Sequence, residues 1–436
     1  MRPLSANIKN GLKSGREMLK VGNKNLRAVL FSFIFMSLTA LNYISDWWVF
    51  KVSGSSEVKI RESSDFADLI WIKSFVACYR KVGESIYLYD DISPCHLGYF
   101  YGSTLVKFFE IIKLDSLPII WVGSSLTILF CISLGILTSK IATKKSNYIF
   151  FIIFSLFSPG IWLLLERANL DILIFLLLLI GSQLFSRGNE VSGILVIALS
   201  ALFKYYTLPV LLALLIITNK RFTRIMGILV ALLVISKVFL DIKSITNPGF
   251  PSTWYISFGI KSFGLYLNLF LEHLNQNRFI LNSLGAGLFG YFLLMVALIF
   301  LSKFDRRRVQ SVINILVISR NFPKYNFLRH IFWIFGSTFI SCYLAGMSYD
   351  YRLSFLAVAG LSFIALAKSQ ELRMKGLTSL LFVALWGSGS FLPSTSLVLS
   401  GLIQLIGDVA IFILSTFFIL VLISEIKSKI YRKNSP

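Results

Sequence analysis

The chain of 436 residues is 56% hydrophobic, 15% aromatic and 15% charged, whereas a water-soluble domain is about half apolar and about a quarter charged. Mean hydropathy is +0.75, and apolar runs recur so closely that no soluble domain above ~60 residues fits between them. The net charge of +22 is not a nucleic-acid signature: the cations sit in short runs between apolar segments, the usual mark of membrane topology, so no nucleic-acid partner is expected.

A basic N-terminus, residues 1–27 with Lys9, Lys13, Arg16, Lys20, Lys24 and Arg27, precedes the first apolar run. That run passes from Ala28 into Trp47 and Trp48 with no convincing small-x-small cleavage site, which predicts an uncleaved first span ending in an aromatic belt. A long first outer loop follows, 49–116. In it, Asp65 to Arg80 and Gly98 to Lys113 repeat apolar residues at three- and four-residue spacing, which predicts two amphipathic helices along the membrane surface. Further apolar runs lie near 117–139, 147–165, 170–186, 190–203, 206–218, 224–240, 280–302, 330–346, 353–369, 376–391 and 399–424. The predicted fold is an all-α polytopic integral membrane protein with about twelve transmembrane helices. It divides into an N-terminal membrane module, 28–240, a second outer loop, 241–279, a C-terminal membrane module, 280–424, and a basic tail, 425–436. An even number of spans puts both termini on one side. With that side cytoplasmic, 28 of the 43 Lys and Arg lie inside and 15 of the 21 acids lie toward the outside, which fixes the expected orientation. The location implied is a plasma membrane, the bacterial inner membrane, with the polar site outside.

Cys131 and Cys342 fall within spans and read as packing residues. Cys78 and Cys95 share the first outer loop, where an oxidising compartment permits a disulfide, with two free thiols as the alternative. The three histidines have no ligand spacing with the cysteines, so no metal site and no cofactor is expected, although a divalent metal stays open.

Four short polar groups stand out, and the charge-derived topology puts all of them on the outer side. Ser63-Ser64-Asp65-Phe66-Ala67-Asp68 heads the first surface helix. Ser64 or Asp65 reads there as an N-cap, with Asp68 in the first turn. Alternatively, a half-desolvated carboxylate at the membrane surface suits a general base toward a hydroxyl, because desolvation raises its pKa. Glu166-Arg167-Ala168-Asn169-Leu170-Asp171 is the whole of a short connection after a helix-loosening Ser158-Pro159-Gly160. An internal Glu166–Arg167 pair and an Asn169 cap would account for it, yet so many polar groups exceed what a turn requires. Lys204-Tyr205-Tyr206-Thr207 reads as a snorkelling lysine with belt tyrosines, and Ser348-Tyr349-Asp350-Tyr351-Arg352 is another short outer turn. Concentrated at one face and away from the midplane, the groups argue for a site open to lipid headgroups. Arg and Lys suit a phosphate, and a carboxylate suits the proton of an attacking hydroxyl.

Asp65, Gly83-Glu-Ser-Ile-Tyr87, Tyr101-Gly102, the Glu166-Arg-x-Asn-x-Asp171 turn and Lys204-x-Tyr206 together resemble the clan C membrane glycosyltransferases. More narrowly, they are similar to the bacterial family that includes polyprenyl-phosphate-mannose-dependent α-1,2-mannosyltransferases. The likeness covers roughly residues 30 to 215, with Asp350-Tyr-Arg352 a weaker match. It departs at Ala168, where the family's motif has glycine, and at Thr207, where it has proline. The resemblance implies an inverting single displacement from a polyprenyl-phosphate sugar donor to a hydroxyl of a glycan or glycolipid acceptor. Asp65 would be the base, with Asp68 its substitute. Arg167, Lys204 and Arg352 would bind the lipid phosphate; Glu166, Asn169 and Asp171 would arrange sugar hydroxyls or the cations, beside Tyr206 and Asp350. Trp71, Tyr87 or Tyr101 would serve as sugar platforms. Two other classes compete. A flippase or transporter would use midplane charges, for which Lys237 and Asp408 are the candidates. An O-antigen-type polymerase would use outer-loop cations, here Lys243, Lys261 and Arg278.

Overall fold

A computed structural model of the chain describes residues 25–41, 66–83, 103–142, 146–218, 220–241, 257–260, 283–304, 323–345, 348–349, 352–368, 374–387 and 397–434. Over these residues the chain is helical. It begins with α1 (Asn25–Leu41), α2 (Ala67–Val82), α3 (Ser103–Ile111), α4 (Ile119–Ile141), α5 (Ser146–Leu156) and α6 (Pro159–Glu166). Then come α7 (Asp171–Ser186), α8 (Glu190–Phe203), α9 (Leu208–Ile217) and α10 (Arg221–Leu240). The second half holds α11 (Ser283–Phe304), α12 (Pro323–Leu344), α13 (Leu353–Lys368), α14 (Lys375–Trp386) and α15 (Leu397–Asn434). A two-residue antiparallel pair, β1 (Ser257–Phe258) with β2 (Ser348–Tyr349), matches Ser257 to Tyr349 and Phe258 to Ser348. It joins the second long loop to the turn after α12.

Among the described residues, α4, α10 and the greater parts of α12 and α15 are long and apolar enough to cross a membrane. α5 and α6 add a fifth span if the bent pair counts as one. This is a helical membrane protein. α4, with 23 residues, reaches about 35 Å against a hydrocarbon core of about 30 Å. Other apolar helices are shorter: α8, with 14 residues, reaches about 21 Å.

The apolar run at 147–165 is split. α5 and α6 meet at 44° because Pro159 has no amide to continue α5 and its fixed φ starts a new helix instead. At the centre, α13 is buried on every side from Leu353 to Ala367. A helix apolar all round belongs in the interior of a bundle. α12 lies against it and also packs on α7, α9 and α15. α7 and α8 approach closely because Gly181 faces Ile197 and Gly193 faces Phe185; a Cβ on Gly193 would sit 2.5 Å from that ring.

Both expected loop helices exist, as α2 and α3. The apolar stripe of α2 (Leu69, Ile72, Phe75, Val76, Cys78, Tyr79) is buried in protein, packed on α3 and α4. Arg80 fastens this layer, bonding Asp115 Oδ2 and the Glu110 carbonyl, each at 2.8 Å. Cys78 is disulfide-bonded, and Cys131 and Cys342 are free and buried. Cys95, the remaining cysteine and the one expected to bridge Cys78, lies outside the described residues, as do Asp65, Asp350, Tyr87 and Tyr101.

Candidate functional site

The site is built where helix ends meet. In the turn from α6 to α7, Ala168 adopts φ 43, the left-handed region that a Cβ disfavours and glycine accepts. This reversal turns the chain so that the Arg167 and Asn169 side chains meet one carboxylate, Asp68 on α2. Arg167 Nε donates to Asp68 Oδ1 at 2.8 Å, and Asn169 Nδ2 donates to Oδ2. The start of α2 lacks a side-chain cap; Phe66 stands there at φ 70. Backbone carbonyls of the turn supply the missing acceptors: the Phe66 amide donates to Glu166 O at 2.8 Å and the Asp68 amide to Arg167 O at 3.2 Å. Ser64 and Asp65, the expected N-caps, lie outside the described residues; the carbonyls of the turn add a tertiary cap, which a local sequence window does not contain.

Asn169 also does what its bland reading assigns. Its Oδ1 accepts from the Asp171 amide at 2.8 Å, capping α7. Asp171 is fully buried and gathers the other segments. Its Oδ1 accepts from Lys204 Nζ and from the Tyr206 hydroxyl at 2.7 Å; its Oδ2 accepts from Arg352 Nε at 3.1 Å. Lys204 reaches Asn169 Oδ1 as well, at 3.2 Å. The Arg352 guanidinium lies over the Tyr206 ring, 4.7 Å from its centroid, and its NH1 bonds Ser348 Oγ at 3.1 Å. Beneath this network, Tyr206 meets the Phe355 ring, which with Phe175 and Phe335 forms an aromatic floor. Such a floor keeps water out and strengthens each charge–charge contact above it.

Side-chain exposure separates the three cations. Lys204 is sealed, at 2%, while Arg167 and Arg352 keep 29% and 19% of their side-chain surface. Burial pushes the Lys204 ammonium below the ordinary lysine range, opposed chiefly by Asp171. Lys204 therefore holds the network together from inside, and the two arginines face its open side. Both Asp68 oxygens accept bonds, an arrangement suited to docking α2 rather than to taking a proton.

Of the residues singled out in the sequence, Asp68, Arg167, Asn169, Asp171, Lys204, Tyr206 and Arg352 come together in one hydrogen-bonded group, and Glu166 joins it through its backbone carbonyl. Trp71 stacks on Phe75. Sequence reading missed Ser348 as the second support of Arg352, and it missed the neighbouring Asp241, described below. Among the described residues no cluster of His, Cys, Asp and Glu could hold a metal ion.

Comparison with protein-family models, with curated proteins and with solved structures finds no match to this chain. Fold and site define a helical membrane protein with a buried ion network where its helix ends and long loops converge.

Proposed function

We propose that the chain is a membrane glycosyltransferase of the clan C type, which moves a hexose, with mannose the first candidate, from an extracytoplasmic polyprenyl-phosphate sugar to an acceptor hydroxyl on a lipid-linked or cell-envelope glycan. In this reading the chain crosses a bacterial inner membrane about twelve times, with both termini cytoplasmic. The observation that carries it is the convergence of Asp68, Arg167-x-Asn169-x-Asp171, Lys204-x-Tyr206 and Arg352 on one network. Those are the segments that the family resemblance marks, and nothing local brings them together.

The chemistry follows from the division of labour among the charges. The acceptor oxygen attacks the anomeric carbon as the bond to the phosphate oxygen breaks, and the bonding pair leaves on the phosphate. Arg352 and Arg167, the partly open cations, hold that phosphate and gain contact as its charge grows. Asp65, one residue before the docked Phe66, takes the acceptor proton, while Asp68 positions α2. Asp171 and Lys204 fix Arg352 and Tyr206 from within the protein.

The test is transfer by the purified protein in detergent, supplied with a panel of polyprenyl-phosphate sugars and lipid-linked acceptors. Asp65→Asn should lower kcat by about 10²-fold or more, the usual range for removing a general base, and Arg352→Ala should lower it comparably. Undiminished transfer by Asp65→Asn would remove Asp65 from the base role. No transfer from any donor of the panel would overturn the reading.

A further inference from the structure

A second polar cluster stands beside the site, made of residues that the proposed reaction does not use. At its centre is Asp241, buried just past the end of α10. Lys237, one turn earlier, donates to Oδ1 at 2.8 Å. Ser103, the first residue of α3, donates its amide to Oδ2 at 3.1 Å and its hydroxyl to the carboxylate at 3.0 Å. Lys237 Nζ also bonds Ser103 Oγ at 2.6 Å. The fourth partner is the hydroxyl of Tyr205, donated to Oδ2.

Tyr205 is the link. It stands in a one-turn 3-10 helix, Tyr205–Thr207, between the two residues that bind Asp171. Its neighbours point at the site and it points away, so adjacent tyrosines hold two different carboxylates: Tyr205 holds Asp241 and Tyr206 holds Asp171. The turn between them is stiff. The Thr207 amide and hydroxyl both bond Lys204 O, at 3.2 and 3.1 Å; Thr207 Oγ1 lies 3.1 Å from Ser200 Oγ; and the Lys204 amide bonds Ser200 O at 2.9 Å. A stiff turn transmits a displacement of Tyr205 to Lys204 and Tyr206 instead of absorbing it. Further along α3, the Phe108 ring meets Phe203 at 5.2 Å, so α3 touches the same hairpin a second time.

We propose that Asp241 is a positioning residue for the candidate site: through Tyr205 it ties the start of α3 and the end of α10 to the Lys204–Tyr206 turn, and so sets how Lys204 and Tyr206 engage Asp171. A helix within the first long loop and the root of the second are thereby registered to the site by one carboxylate. The kinetic consequence rests on the glycosyltransferase reading; the mechanical coupling does not.

The test compares Tyr205→Phe, which removes one oxygen, and Asp241→Asn with Arg80→Ala. Arg80→Ala breaks another bond of the same outer layer, one that leaves the turn untouched. In the transfer assay, Tyr205→Phe and Asp241→Asn should each lower kcat about tenfold with KM for the lipid donor changed less than about twofold, the pattern of misplaced rather than missing groups. Arg80→Ala should keep the wild-type kcat. Tyr205→Phe with wild-type kcat, or a loss no greater than that of Arg80→Ala, would overturn the proposal. Should the wild type transfer no sugar, the glycosyltransferase reading fails, and hydrogen–deuterium exchange decides the positioning role. Faster exchange at residues 204–207 in Tyr205→Phe but not in Arg80→Ala supports it; unchanged exchange there overturns it.

Discussion

The molecule buries charge at two places with opposite designs. Near the start of α12, Arg329 NH2 pairs with Glu425 Oε1 of α15 at 2.7 Å, and Trp333 Nε1 donates to the other carboxylate oxygen. These are three buried side chains on two helices. Past the other end of α12, Asp171 ties together α7, the turn after α8 and the start of α13, and the network continues through Asn169 and Asp68 into α2. The first is a staple between neighbours. The second includes a single bond between residues 181 apart and keeps two arginines partly open. A buried ion pair costs desolvation wherever it sits, so its presence alone argues little for stability. What distinguishes a site from a staple is that its charges are shared among many segments and reach a surface.

That contrast breaks most visibly under substitution. Lys204→Met and Arg329→Met, made singly, each take a paired cation from a buried carboxylate and should cost up to about 3–5 kcal/mol, read as a fall in Tm of the detergent-purified protein. The paired changes should part company. Arg329→Met with Glu425→Gln removes both charges and leaves Trp333 an acceptor, so it should return to within about 1 kcal/mol of wild type. Lys204→Met with Asp171→Asn leaves Arg352 without its carboxylate, so it should stay destabilised. Equal recovery in both double variants would erase the distinction drawn here.

A smaller effect tests the turn that builds the network. Ala168 is buried at φ 43, so Ala168→Gly should relieve left-handed strain at some cost in unfolded-state entropy, a net gain of up to about 1 kcal/mol. A drop in Tm would mean that the methyl packs better than the backbone suffers.

The smallest effect is confined to acid. Burial raises the Asp241 carboxyl, but the bonds from Lys237, Tyr205 and Ser103 outweigh it and leave the group below its ordinary value of 3.8. A depressed folded pKa contributes stability that is complete above the unfolded value and disappears as pH falls through the folded one. The stability deficit of Asp241→Asn should therefore be constant above about pH 5 and shrink below about pH 4. A deficit unchanged down to pH 3 would mean that the carboxylate charge contributes nothing.

Much of this arrangement is legible from charge pattern alone. Arg167, Asn169, Asp171, Lys204 and Arg352 stand out because strongly polar residues are rare beside long apolar runs. Assigning sides from the other cations predicts that they share one face, and the structure brings them into one network. Their pairing is not legible. Arg167 is next to Glu166 in sequence, yet reaches Asp68, 99 residues away, because Ala168 reverses the backbone between it and Asn169. Lys204 reads as a snorkelling side chain, but Asp171 sits close enough to keep it buried. Asp241 escapes notice for the same reason, and Lys237 reads only as a midplane charge: their partner Ser103 is 138 and 134 residues distant. The β1–β2 pair is two residues long, too short to impose an alternating pattern. Helix length is a further gap. Apolar runs such as 190–203 count as spans by composition, and their helices are shorter than the thickness they would have to cross.

The joint between α6 and α2 has a property of its own. The last carbonyls of one helix accept the first amides of another, Glu166 O from Phe66 and Arg167 O from Asp68, so the two peptide dipoles run in series across a gap in the chain, negative end to positive end. The first long loop is thus electrically continued from the bundle. Because the joint is written in main-chain atoms, a residue without an amide hydrogen at 66 or 68 would cut it.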